Sequence, residues 1–285
     1  MNQLNSVAER GIPQEALEVM KRIDTRRKNF NRNIKISLAI MVLLLVLGLV
    51  VLGLDFKFMA KWLGFILTGL GFTLLVSVLA ISLACVLSVI GALGRLSRNP
   101  IFNAMATLYV SLIRGTPLLV QVYMWYLALP QIGGALQELG FVGIQKYMTL
   151  PAIPAGIMAL AVCYGAYMTE IFRAGIQAVG KGQHEAAHAL GMSRSQTLRR
   201  IVLPQAFRIV IPPIGNEFIA MMKDSSLVSL MGVWELTFRA GKIGRQYFRN
   251  IETFLIAAAF YWILTVVFQY LQGNLEAYMA RGERK

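Results

Sequence analysis

Long uncharged, mostly apolar stretches alternate with short polar ones along this chain. A helix crosses the hydrocarbon core of a bilayer with about 20 apolar residues. Uncharged runs of 19 residues (36–54), 33 (62–94), 15 (99–113), 23 (115–137), 23 (147–169) and 23 (253–275) meet or approach that length. A further stretch, 209–222, is mostly apolar but holds Asn216 and Glu217. The pattern predicts six spans, near 36–54, 62–93, 101–129, 151–172, 207–222 and 253–272.

Composition agrees. The chain is 56% hydrophobic and 15% charged, against about a quarter charged in a soluble domain. That leaves too little polar surface for a water-soluble globule of 285 residues, and far too much apolar content for a disordered chain. The net charge of +14 would suit nucleic acid or a membrane surface, and the apolar content decides for the membrane. Cys85 and Cys163 lie inside apolar runs, which argues against a disulfide framework or a cysteine metal site.

Loop charge sets the expected orientation. Residues 21–35 carry seven Lys/Arg and one acid, a cytoplasmic signal with no secretory cleavage site behind it. With the N-terminus inside, the inside segments hold 19 Lys/Arg and the outside segments 8, and both termini are expected in the cytoplasm. Arg239, Lys242, Arg245 and Arg249 run against the rule, and an alternative makes 225–238 another half-span. Before the first span, Ile12, Ala16, Val19, Met20 and Ile23 share a helical face after Pro13. The basic tail 1–35 is either a short interfacial helix there or a partly disordered segment.

The connection 173–206 is the longest interior loop, and three motifs compete for it. His184-Glu185-Ala186-Ala187-His188 matches H-E-x-x-H, the zinc pattern of an intramembrane metalloprotease. The chain has no third histidine, and the nearest downstream acid is Glu217. Residues 175–181 match G-x-x-x-x-G-K, but Gly182 stands where Mg²⁺ binding needs Ser or Thr, and no strand precedes it. The third motif covers the whole loop: Glu185-Ala186-Ala187, then Gly191, then Ile201-Val202-Leu203-Pro204. It reads as helix, turn, helix. Small alanines allow close packing, Gly191 supplies a left-handed cap, Ser193 and Gln196 form a capping box, and Pro204 breaks the second helix.

That third motif is the EAA loop, and the chain resembles the permease subunits of bacterial ABC importers. Segments 111–122, 164–191 and 215–230 are similar to the subfamily that imports polar amino acids, and the likeness covers about 62–285. The resemblance implies an all-α integral membrane protein, a type I ABC importer transmembrane domain of about six helices. Five would form the common core (62–272), with the coupling loop at 175–206. The helix 36–54 and the basic tail would be additional, and 273–285 a cytoplasmic C-terminal tail. It implies no catalysis in this chain and no cofactor of its own, ATP and Mg²⁺ being held by two separate ATPase subunits. Other implied partners are a second permease chain, identical or not, an extracytoplasmic binding protein and the lipid bilayer; no nucleic acid is expected.

The resemblance makes Glu185, Ala186, Ala187 and Gly191 an elbow that docks on the ATPase, with Arg194 and Pro204 in the same unit. Arg194, Arg199 and Arg200 serve docking or else anchor the loop at the headgroups. Ionisable groups at membrane depth usually face the protein interior or water, which singles out Arg114, Glu170, Glu217, Lys223 and Asp224. A zwitterionic cargo needs one group of each sign. Lys223, Asp224, Ser225 and Glu217 could line its path, or Lys223 and Asp224 could form an internal ion pair. Arg114-Gly115-Thr116-Pro117 reads as a hinge in the third span. Glu170 is expected to pair with Arg173, one turn on. Tyr164 and Tyr167 face the path or a neighbouring helix. Besides the permease and the zinc protease, an ion-driven secondary transporter is the third class to weigh.

Overall fold

The computed structural model describes residues 14–51 and 53–281, all of whose regular elements are helical. Two compact units separate at Phe56. The first contains a single helix, α1 (Gln14–Val51). With no Gly or Pro between Gln14 and Gly48, the basic stretch and the apolar run share this one helix, where a short separate interfacial helix or a partly disordered tail was expected. Ile12 and Pro13, which belonged to that expected pattern, lie outside the described residues.

The second unit begins with α2 (Phe56–Leu67) and α3 (Leu70–Arg95), then α4 (Pro100–Arg114), α5 (Leu118–Tyr123), a π-turn (Met124–Ala128), α6 (Leu129–Glu138) and α7 (Ile144–Met148). It continues with α8 (Ala152–Ala178), α9 (Lys181–Ala189), α10 (Arg194–Thr197), a second π-turn (Leu198–Val202) and α11 (Leu203–Asp224). A 3-10 helix (Ser225–Met231), α12 (Leu236–Tyr247) and α13 (Asn250–Arg281) complete it. Among the described residues Phe56–Arg95, Ala152–Ala178 and Asn250–Met279 are long and apolar enough to span a membrane. The predicted span at 101–129 is instead a bent pair, Pro100–Arg114 and Leu118–Glu138, at 104°. Pro117 cannot donate to the helix before it, and its ring starts a new one.

Helices α3 and α8 make the core. Their facing surfaces are small: Ala80, Ala84, Ser88 and Gly91 on α3, Ala161 and Gly165 on α8, all buried. Without a hydrophobic drive between helices in lipid, close approach through small residues is what packs them. Gly165 shows the constraint, since a Cβ there would lie 2.9 Å from the Tyr109 hydroxyl, which donates to the Val162 carbonyl at 2.7 Å. Large apolar side chains point outward instead, among them Met105, Leu108, Trp262 and Tyr270.

The segment after α11 is no simple outer loop. Glu235, fully buried, caps α12 by accepting from the amides of Thr237 (2.9 Å) and Phe238 (2.7 Å), and Tyr261 donates to it at 2.6 Å. Its backbone presses on the α2–α3 break, where a Cβ on Gly69 would come within 2.7 Å of the Glu235 carbonyl carbon. The cations that ran against the charge rule sit largely on aromatic rings. Arg239 lies over Phe65 (5.0 Å) and Trp234 (5.3 Å), Lys242 lies over Trp234 (4.1 Å), and Arg249 pairs with Glu252 at 3.0 Å.

Glu235→Ala removes three hydrogen bonds from a buried site and should cost ~3 kcal/mol. A lower thermal unfolding midpoint in detergent micelles, with a smaller drop for Glu235→Gln, is the expected result; an unchanged midpoint for Glu235→Ala would contradict it.

Candidate functional site

The loop between α8 and α11 is a stiff elbow. Helix α9 ends in two interlocking bonds: Gly191 N–H to the His188 carbonyl (2.9 Å) and Met192 N–H to the Ala187 carbonyl (3.0 Å). This is a Schellman cap, and it requires the left-handed conformation that Gly191 holds at φ +71°. Two residues later the expected capping box is present: the Gln196 amide donates to Ser193 Oγ (3.3 Å) and the Ser193 amide to Gln196 Oε1 (2.8 Å). Beneath the elbow, Val179, Val202 and Ala206 are buried together, with Ile176 and Leu198 against them. Ala187 is turned inward and buried, whereas Glu185, Ala186, Ala189 and Arg194 are exposed and Leu190 is 82% exposed. An apolar tip on a rigid, internally seated base is the form of a docking knob.

One expectation fails here. Pro204 does not break the second helix. The π-turn carries α10 into α11, and Pro204 falls within the first turn of α11, where a missing N–H and a fixed φ are tolerated. The zinc reading gains no ligand either. Among the described residues no three His, Cys, Asp or Glu side chains gather to hold a metal.

Between α8, the end of α11 and the α4–α5 bend a second set of groups converges. The Tyr164 hydroxyl donates to Asp224 Oδ2 at 2.8 Å, joining α8 to the end of α11. Glu217 lies within coulombic reach of both Asp224 and Arg114, and the Arg114 guanidinium stacks on Tyr167 at 5.1 Å. Arg114, Tyr164, Glu217 and Asp224 therefore lie near one another with both signs of charge, and among the described residues no ion pair joins them. Lys223 points away: it is exposed and makes no ion pair with Asp224. Neighbouring residues of a helix project about 100° apart, and the hydrogen bond from Tyr164 takes Asp224 inward. Ser225 is fully buried and donates to the Met222 carbonyl at 2.7 Å, which makes it a cap at the α11 end. Glu170 belongs elsewhere, holding Arg173 (2.7 Å) as expected and also Arg95 (3.2 Å), so it ties α8 to the end of α3.

Gln121 was not singled out from sequence. It is buried, and its Nε2 donates to the Ile113 carbonyl (2.8 Å), the Thr116 carbonyl (3.1 Å) and Thr116 Oγ1 (3.1 Å). It thereby holds the bend beside the charged cluster. A glutamine just beyond an Arg-Gly-Thr-Pro break was the available signal, since freed carbonyls at a break need a donor.

The fold and the elbow define an apolar helical bundle that carries one rigid, capped connecting loop. Residues 84–281 match the family described as the binding-protein-dependent transport system inner membrane component, and the chain belongs to that family. It is 37% identical over 218 residues to the L-cystine transport system permease protein TcyB of Bacillus subtilis (strain 168), a match covering 75% of this chain and 87% of that one. It is 34% identical over 227 residues to the glutamine transport system permease protein GlnP of Escherichia coli (strain K12), covering 79% and 98%. A crystal structure of an amino acid ABC transporter with histidines superposes with a TM-score of 0.70 at 38% identity, covering 79% of this chain and 99% of that one. The protein is thus the multi-pass, inner-membrane permease subunit of an ABC importer.

Gln121→Leu leaves the carbonyls of Ile113 and Thr116 without their side-chain donor, at a cost of ~2 kcal/mol. Hydrogen–deuterium exchange followed by mass spectrometry should then quicken across 113–118 and stay unchanged in α8. Equal protection in both proteins would show that the bend does not depend on Gln121.

Proposed function

We propose that this subunit carries a polar amino acid, or a related small zwitterion, inward across the membrane by alternating access, driven by separate ATPase subunits that the elbow engages. The carrying observation is the Schellman-capped elbow with its exposed Leu190 tip on a buried base. A knob that stiff passes a push from a cytoplasmic partner into α8 and α11 instead of absorbing it. Two ATPase subunits hold ATP and Mg²⁺, and this chain holds no cofactor. A second permease chain, identical or a sister, completes the pore, and an extracytoplasmic binding protein delivers the cargo. Both termini and the elbow lie in the cytoplasm, and α1 adds a helix to the five-helix core.

The cargo class is supported by the relatives named for cystine and glutamine and by the mixed-sign cluster. Arg114 complements a carboxylate, and Glu217 and Asp224 complement an ammonium. Tyr164 orients Asp224 by its hydrogen bond. Both signs are needed because a zwitterion stripped of water leaves two charges to be met.

Gly191→Val tests the elbow. Nothing lies within 4 Å of a Cβ at Gly191, so the substitution is felt only through its φ of +71°, which a β-branched residue adopts at a cost of about 2 kcal/mol or more. Membrane insertion should persist while ATP-coupled uptake in proteoliposomes is lost; full activity would sink the coupling assignment. Asp224→Asn tests the path. Uptake of labelled polar amino acids should weaken about tenfold or change its preference among them, and an unaltered profile removes Asp224 from the path.

A further inference from the structure

The inner side of the elbow carries chemistry that transport does not use. Between the end of α3, the end of α8 and the elbow lies a cavity of 530 Å³, floored by apolar side chains including Leu93 and Leu198. Its polar walls are Arg98, Arg194, His184 and His188, and no carboxylate lines it. Neither arginine makes an ion pair with a described residue. On α9 the two histidines are one turn apart, so they share a face. Ala186 and Leu190 project about 200° away from that face. The docking tip and this cavity therefore belong to opposite sides of one short helix.

We infer that this notch binds a phosphate-bearing anion, with the headgroup phosphate of an anionic phospholipid as the favoured source. The arginines supply fixed positive charge and forked donors that fit phosphate. The imidazoles add further hydrogen-bond partners, and the apolar floor accommodates the glycerol and upper acyl carbons. A basic pocket between helix ends at the cytoplasmic boundary meets a leaflet that carries negative surface charge. The inference rests on the proposed orientation only for which leaflet supplies the lipid. A bound lipid here would wedge the elbow against α3 and tune its stiffness to membrane composition.

The test uses the full-length chain purified in neutral detergent. Native mass spectrometry reads retained ligand after addition of phosphatidylglycerol, phosphatidylcholine or inorganic phosphate. Phosphatidylglycerol should be retained in preference to phosphatidylcholine. The double variant Arg98→Gln, Arg194→Gln should weaken that retention about tenfold, and Arg98→Lys, Arg194→Lys should keep most of it. The control pair Arg199→Gln, Arg200→Gln removes the same charge from the same elbow outside the cavity and should retain lipid normally. Retention of inorganic phosphate that is lost in the Arg98/Arg194 glutamine variant supports the phosphate site and assigns it to a soluble anion. Equal losses in both glutamine pairs, or binding of neither probe, overturn the inference. These readings need neither ATP nor cargo, so a failed transport assignment and a failed phosphate site are told apart.

Discussion

A helix interrupted inside a bilayer must find partners for its freed backbone groups within the protein, because the hydrocarbon offers none. This chain interrupts its helices repeatedly, and side chains answer several of the breaks. Gln121 serves the carbonyls at the α4–α5 bend. Glu235 serves the first amides of α12. Thr73, whose hydroxyl hydrogen-bonds within α3, also meets the Leu236 amide at 3.4 Å. Gln272 reaches from α13 to the Pro212 carbonyl at 3.1 Å, in a helix that Pro212 and Pro213 would otherwise weaken. In each of the last two cases the partner sits on a different helix, so local repair also fastens the bundle.

That economy places the charged cluster. An unbroken α4–α6 rod would present only side chains to the interior. The 104° bend brings Arg114 beside Tyr167, and the end of α11 brings Asp224 to Tyr164. Asp224 is met there by the Tyr164 hydroxyl and Arg114 by the Tyr167 ring. The same breaks are where helical arms can move relative to one another with few bonds lost, since their terminal groups already rely on side-chain partners. Rigid α3–α8 packing through alanine and glycine gives those arms a fixed frame to move against.

The elbow was legible in sequence because it is local. Gly191, Ser193 and Gln196 act within one or two turns, and short-range cap chemistry is written in residue order. The apolar runs near 62–93, 151–172 and 253–272 were legible for the same reason, as length and composition suffice there. What sequence hid is long-range. The Glu235–Tyr261 bond spans 26 residues and the Tyr164–Asp224 bond 60, and no spacing rule connects such positions. Lys223 and Asp224 looked like a pair on adjacency, yet helical geometry sends adjacent side chains apart. Pro204 looked like a terminator because the π-turn before it left no mark in the sequence. The ring contact of Arg239 was hidden in the same way, because Phe65 lies far back in the chain.

The two faces of α9 differ in chemistry. One face presents Ala186 and Leu190, and the opposite face carries His184 and His188 beside a cavity walled by Arg98 and Arg194. A rod that merely transmitted force would be best seated on apolar contacts alone, as Val179, Val202 and Ala206 seat its base. Gathering two arginines and two imidazoles without a carboxylate raises the electrostatic energy of the same seat, and an anion between them lowers it. The elbow therefore rests on a base whose stiffness depends on what occupies the notch, and its grip on α3 differs between the filled and unfilled states.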